Sequence, residues 1–219
     1  MKTRSALLML AFCLAAAAQS DADRTASANA TPPERNGIVD KVLAIAGPAD
    51  PAHLNRKQRF EQYVLNTIGP VPLAGEALGA AINQWADSPA EWGQGWTTYG
   101  RRYGSNLGYN AVRQTITYGV SEAFREDTRY FASTASGFWP RTRHALTSTF
   151  TSRRDDGHRA FSPANVSGVI GAAAISSLWG PPSWRTADSI AANAAISFAA
   201  TAGFNVVREF LPDILHRRR

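Results

Sequence analysis

Cysteine is nearly absent from this sequence, which has one, Cys13, among 219 residues. A single thiol excludes an intrachain disulfide framework and a zinc site built from several thiolates. Lysine is also scarce, since 3 Lys stand beside 20 Arg, and the formal net charge is +6. Because arginine grips carboxylate and phosphate groups with paired hydrogen bonds and stacks on aromatic rings, this composition favours anionic partners.

Common catalytic and cofactor motifs are absent as well. The sequence contains no G-x-S-x-G, H-E-x-x-H, P-loop or dinucleotide-binding pattern. It also contains no recognised nucleic-acid-binding motif. We therefore predict no cofactor, no resident metal and no nucleic-acid partner.

Residues 1–20 have the pattern of a secretory signal peptide. Lys2 and Arg4 precede an apolar run of 13 residues, which is too short to cross ~30 Å of hydrocarbon. Cleavage is predicted near Ala18 or Ser20 and would remove the only cysteine, which excludes a thiol nucleophile. The predicted location is the periplasm or the cell envelope.

The rest of the chain predicts one helical domain. Residues 21–54 read as a disordered leader with a short apolar segment, residues 55–214 as the domain, and residues 215–219 as a basic tail. No segment alternates with period two, whereas caps and breakers such as Asn55, Gly69-Pro70 and Ser162-Pro163 bound helical patterns. We predict an all-α fold, a single compact bundle of about six helices, one of which runs from about Glu91 to Arg125.

Small residues recur four apart and predict close helix contacts. The clearest steps are Gly75/Gly79, Gly100/Gly104/Gly108, Ser167/Gly171 and Gly168/Ala172. Because each Gly costs a helix about 0.5–1 kcal/mol relative to Ala, their repetition indicates backbones in close approach.

Two uncharged segments, residues 160–184 and 189–207, are long enough to span a membrane as a hairpin. Both depend on Ala and carry several Asn, Ser and Thr, which weakens membrane insertion. Buried helices of a soluble core are therefore favoured over a membrane-seated hairpin, and both interpretations stay open.

The most distinctive stretch interleaves aromatic residues with arginine and glycine between Glu91 and Gly104. Its candidate binding residues are Trp92, Trp96, Tyr99, Arg101 and Arg102. Trp92, Trp96, Tyr99 and Tyr103 are three or four residues apart, which predicts one helical face. That face either packs in the core or binds a ligand, by ring stacking and by arginine contacts to phosphate. The C-terminal Arg217, Arg218 and Arg219 are predicted to be available to anionic surfaces.

A turn with Asp155, Asp156 and His158 is the best candidate for chemistry, with His144 as a possible further base. Acidic turns beside several arginines are more often ion-paired surface. The first hypothesis is therefore a non-enzymatic, membrane-associated envelope protein that binds anionic lipid or envelope polymer. The alternative is a hydrolase that uses these Asp and His residues, and it requires His144 and His158 to converge in one cleft.

The motifs resemble those of an uncharacterised family of signal-peptide-bearing bacterial cell-envelope proteins. The matching residues are 87–95 with 99–102, 126–131, Phe138-Trp139 with Arg141, 204–205 with 208–210, and 212–213. The resemblance would cover Lys57 to Ile214. It implies the export route and the domain boundary, and it supplies no catalytic residue because the family has no assigned activity.

Overall fold

The computed structural model describes residues 48–49, 54–154 and 157–216. The predicted signal peptide and most of the predicted leader lie outside these residues. Five of the candidate site residues also lie outside them, namely Asp155, Asp156, Arg217, Arg218 and Arg219.

The described chain is mostly helical, as the sequence predicts. Its helices are α1 (Arg56–Ile68), α2 (Pro70–Trp85), α3 (Trp96–Phe124), α4 (Phe138–Thr147), α5 (Pro163–Ser176) and α6 (Ala187–His216). Two 3₁₀ turns cover Ala90–Trp92 and Pro182–Arg185. The last helix continues through Pro212, where the sequence pattern predicts its end.

A small antiparallel sheet corrects the all-α prediction. Its strands are β1 (Glu126–Asp127), β2 (Thr151–Arg154) and β3 (Arg159–Phe161), in the order β1-β2-β3. Glu126 lies opposite Arg154, and Thr151 lies opposite Phe161. Strands of two to four residues are too short to show the alternation that identifies a strand in a sequence.

The described residues form two compact units. The large unit comprises 54–128, 150–154 and 157–199, and the small unit comprises 129–149 and 200–216 with 48–49. Helix α6 contributes its first part to the large unit and its last part to the small one. A single bundle of about six helices is therefore not confirmed.

Local capping explains where helices of the large unit begin. The Asn55 side chain accepts a hydrogen bond from the Gln58 N–H, and the Gln58 side chain accepts one from the Asn55 N–H, both at 2.9 Å. This reciprocal pair satisfies donors that the first helical turn leaves open. Ser162 caps α5 in the same way through the Asn165 N–H, and Pro163 occupies its first turn.

Helices α3 and α5 pack closely in the large unit because small residues line their contact. A Cβ added to Gly171 would lie 2.6 Å from Cδ1 of Ile116, and one added to Gly168 would collide with Thr117. The small-residue prediction is confirmed at these two positions. Beside them, Val169, Ala173 and Ala194 form the buried apolar core, with Tyr109, Ile190 and Phe198 packed against it.

A buried carboxylate joins the sheet to the helices of the large unit. Glu126 is fully buried, and its Oε2 accepts hydrogen bonds from Ser162 Oγ at 2.6 Å and Ser152 Oγ at 3.0 Å. Arg59 donates to the Glu126 backbone carbonyl and pairs with Glu122 at 3.1 Å. Thus α1, α3, β2 and the start of α5 are tied to one short strand.

The small unit is built around another buried carboxylate, Glu209 of α6. Its side chain accepts hydrogen bonds from Tyr130 Oη at 2.6 Å, from the Ser133 N–H at 3.0 Å and from Arg141 Nε at 2.7 Å. The Arg141 guanidinium also contacts the Phe210 ring at 4.6 Å. Hydrogen bonds to a buried charge are the stronger kind, so this network fixes α4 against α6.

Helix α6 is the one helix of the described chain that is long and apolar enough to cross a bilayer, over Ala187–Ile214. Only 11% of its most apolar window is buried. In the first part of the helix, Ser197 accepts a hydrogen bond at 2.8 Å from Tyr109 of α3. The described contacts favour a helix that packs on one side and exposes an apolar face on the other.

Candidate functional site

The side chain of Arg102 holds the loop between α2 and α3 in place. It is 1% exposed, and it donates four hydrogen bonds back to that loop and to the end of α2. The acceptors are the carbonyl oxygens of Ser88, Pro89 and Gly93 and the side-chain oxygen of Gln84. It also pairs with Asp87 at 3.5 Å. Arg102 is therefore a structural residue, which corrects its prediction as a ligand-binding one.

The same loop presents two tryptophans to solvent. Gln84 Nε2 donates to Gln94 Oε1 at 2.7 Å and to the Gly95 carbonyl at 3.3 Å, which closes the loop between Trp85 and Trp96. Trp85 is 83% exposed and Trp96 is 90% exposed. Large aromatic rings are usually at least half buried, so this exposure marks an interaction surface.

A groove of about 260 Å³ lies beside this loop along α3. Its lining residues are Trp92, Arg101, Gly104, Ser105, Gly108 and Trp179. A Cβ added to Gly104 would meet no atom within 4 Å, whereas one added to Gly108 would lie 3.3 Å from the Trp179 ring. Glycine thus keeps the floor open between two indole walls. The predicted close helix contact at Gly100 and Gly104 is wrong, because both positions face open space.

The groove carries one positive charge and hydrogen-bond donors. The Arg101 guanidinium stacks on the Trp92 ring at 4.6 Å and has no carboxylate partner among the described residues. Ser105 Oγ accepts a hydrogen bond from Trp179 Nε1 at 3.1 Å, which leaves its own proton free to donate. None of the described residues that line the groove is acidic. This arrangement suits a ligand that is anionic, rich in acceptors and partly apolar.

Other predicted binding residues lie nearby but do not line the groove. Trp92 belongs to the 3₁₀ turn before α3, so the predicted helical face shared by Trp92, Trp96 and Tyr99 is wrong for its first member. Trp96 and Tyr99 are in edge-to-face contact at 6.3 Å, and Tyr99 Oη donates to the Ala77 carbonyl at 3.1 Å. Tyr99 thus joins α3 to α2 rather than contacting a ligand.

The residues of the hydrolase alternative are not assembled by either unit. His144 lies in the small unit, half-buried, with Nε2 at 3.0 Å from the Phe131 carbonyl oxygen. His158 lies in the large unit and is exposed. Asp155 and Asp156 are outside the described residues. Within the described ranges, no three His, Asp or Glu side chains gather as metal ligands.

Several residues of this region were not predicted from the sequence. Trp179 forms a wall of the groove, and Trp184 packs on Trp92 with ring centroids 5.6 Å apart. We call Trp85, Trp92, Trp96, Trp179 and Trp184 the tryptophan surface; they are five of the six tryptophans in the sequence. The Gly180-Pro181-Pro182 break that follows Trp179 could have indicated a chain reversal but not where it packs.

The large unit also contains a half-buried acid that should make stability depend on pH. Burial raises the pKa of the Glu76 carboxyl from 4.5 to about 7, against the lowering effect of nearby Arg113. Because the pKa of Glu76 is higher in the folded chain than in the unfolded chain, its protonation stabilises the fold. This stabilisation is fully present below about pH 4.5 and is lost as the pH rises through 7. The loss is at most about 3 kcal/mol, and solvent screening makes it smaller.

Glu76→Gln should therefore remove this loss. We expect the variant to unfold at the same temperature as the parent at pH 5 and at a higher temperature at pH 8, in thermal scans followed by circular dichroism. An equal difference at both pH values would show that ionisation of Glu76 is not its cause.

Comparison with protein-family models, with curated proteins and with solved structures finds no match to this chain. A functional conclusion therefore depends on the geometry of the chain's own residues.

Proposed function

We propose that this protein is a non-enzymatic, membrane-associated protein of the cell envelope that binds anionic lipid through arginine and tryptophan side chains. The observation that carries the proposal is the tryptophan surface, in which Trp85 and Trp96 are nearly fully exposed. It also includes Trp92, on which Arg101 stacks without a carboxylate partner in the described part of the chain. Tryptophan is enriched at membrane–water interfaces because its ring is apolar and its N–H is polar.

Apolar and basic neighbours support a bilayer as the partner. Leu178, which precedes Trp179, is 71% exposed, and Arg185, which follows Trp184, is exposed as well. Basic residues at an anionic lipid surface contribute about 1 kcal/mol each. The predicted signal peptide supports an envelope location, periplasmic or on a membrane face.

Vesicle co-sedimentation of the mature protein tests this proposal. A half-inserted indole buries about 100 Å² at about 25 cal/mol per Å², so two of them contribute on the order of 5 kcal/mol. We expect Trp85→Ala combined with Trp96→Ala to lower partitioning into phosphatidylglycerol vesicles by about 100-fold or more. We expect neutral phosphatidylcholine vesicles to bind the parent protein more weakly, with little sensitivity to salt.

Trp139→Ala is the matched control, because Trp139 is 74% exposed but belongs to the small unit. It should leave vesicle binding nearly unchanged. Equal losses from both variants, or no loss from the double variant, would contradict the proposed surface. Binding to soluble polyglutamate without binding to vesicles would instead favour an envelope polymer as the partner.

A further inference from the structure

We infer that the groove between Trp92 and Trp179 is a binding site for the phosphate headgroup of one anionic phospholipid, with the Arg101 guanidinium as its cation. The inference deepens the proposed function and rests on it for the source of the phosphate. The tryptophan surface would hold the protein at the bilayer, and the groove would select a headgroup there.

The charge of the groove determines the class of ligand. Arg101 has no carboxylate partner among the described residues, and the Ser105 hydroxyl has a proton to donate. The lining offers these donors and no acidic side chain. A phosphate presents only acceptors, and a guanidinium can bind two of its oxygens at once. A cationic ligand would be repelled by the Arg101 guanidinium, which already occupies the face of the Trp92 ring.

The shape of the groove determines the rest of the ligand. Gly104 leaves the helix backbone uncovered, so a group can approach α3 closely between the two indole rings. The volume of about 260 Å³ is below that of sites for drug-sized molecules, so the groove holds a headgroup and not a whole lipid. Leu178, exposed next to the Trp179 wall, would lie along the first part of an acyl chain.

Gly104→Leu fills the groove without disturbing the fold. No atom lies within 4 Å of a Cβ at Gly104, and the change removes a glycine from a helix interior, so the melting temperature should stay the same or rise. Gly119→Leu is the matched control, since Gly119 is exposed on the same helix, has the same open surroundings and lies outside the groove. Arg101→Gln is a second, independent variant.

The experiment titrates the mature protein with monomeric dihexanoyl phosphatidylglycerol, by calorimetry and by NMR of the indole N–H groups. We expect saturable binding that shifts the Trp179 indole signal. Gly104→Leu and Arg101→Gln should each weaken it at least tenfold, and Gly119→Leu should not weaken it. Inorganic phosphate should bind at least tenfold more weakly than the lipid. Unchanged affinity in Gly104→Leu, or equal affinity for phosphate alone, would overturn the inference.

Measuring vesicle binding on the same variants separates the two proposals. The Trp85→Ala/Trp96→Ala protein should lose vesicle binding and keep its affinity for the monomeric lipid. Gly104→Leu should show the reverse, with vesicle partitioning reduced less than tenfold. If Gly104→Leu binds vesicles and the parent protein does not bind the monomeric lipid, the groove inference is rejected and the membrane proposal is not. Failure of the parent to bind vesicles would reject the membrane proposal.

Discussion

Arg102→Met is expected to lower the free energy of unfolding by about 3–5 kcal/mol. The substitution keeps an unbranched apolar stem but removes a fully buried guanidinium and its four hydrogen bonds. Three backbone carbonyls of the loop between α2 and α3 would then lose their donor, and the hydrogen bond to the Pro89 carbonyl is a buried one. Urea unfolding followed by tryptophan fluorescence measures the change.

The neighbouring Arg101→Met is the matched control for this prediction. Arg101 is exposed and makes one stacking contact with Trp92, so its loss should cost about 1 kcal/mol or less. A similar cost for the two variants would mean that the loop is held by something other than Arg102.

These adjacent arginines show why the sequence identified the region but not the roles of its residues. Arg101 and Arg102 are adjacent in α3, so their side chains leave the helix in different directions. The first is exposed and the second is buried. The acceptors that bury Arg102 come from residues 84–93, which fold back over α3. The sequence pattern around Arg102 does not indicate that these residues pack over it. Thus Trp92 and Arg101 are found in the groove, and Arg102 is not.

The spacing of the glycines also did not show what each glycine does in the fold. The repeat at Gly168 and Gly171 reflects close packing against Thr117 and Ile116, as predicted, whereas Gly104 keeps a groove open. Close helix packing and an open groove both require glycine. Which of the two occurs depends on whether another part of the chain packs against that glycine. By contrast, the start of α1 at Asn55 was predictable because its capping box involves residues three apart.

Among the described residues, the large charged side chains that are fully buried are Arg102, Glu126 and Glu209. Each connects segments that are distant in sequence. These three charged residues are therefore explained by the fold, since a buried charge without partners is strongly destabilising. Arg101 differs, because its side chain is exposed and its stacking on Trp92 contributes little to stability.

Glu209→Gln is expected to destabilise the protein by about 2–4 kcal/mol, although the side chain keeps its size. The amide group would bring N–H donors toward Tyr130 Oη, the Ser133 N–H and Arg141 Nε, which all donate to the carboxylate. At least one buried donor would lose its acceptor, and Arg141 would lose its buried counter-charge.

Asp213→Asn provides the control, because Asp213 also pairs with Arg141 but is 43% exposed. An exposed pair contributes about 1 kcal/mol or less, so the control should unfold at nearly the parent urea concentration. Equal shifts for the two variants would show that Glu209 acts as an ordinary surface ion pair. A large shift for Glu209→Gln alone, with an unchanged dependence on urea, would establish that the buried carboxylate holds α4 against α6.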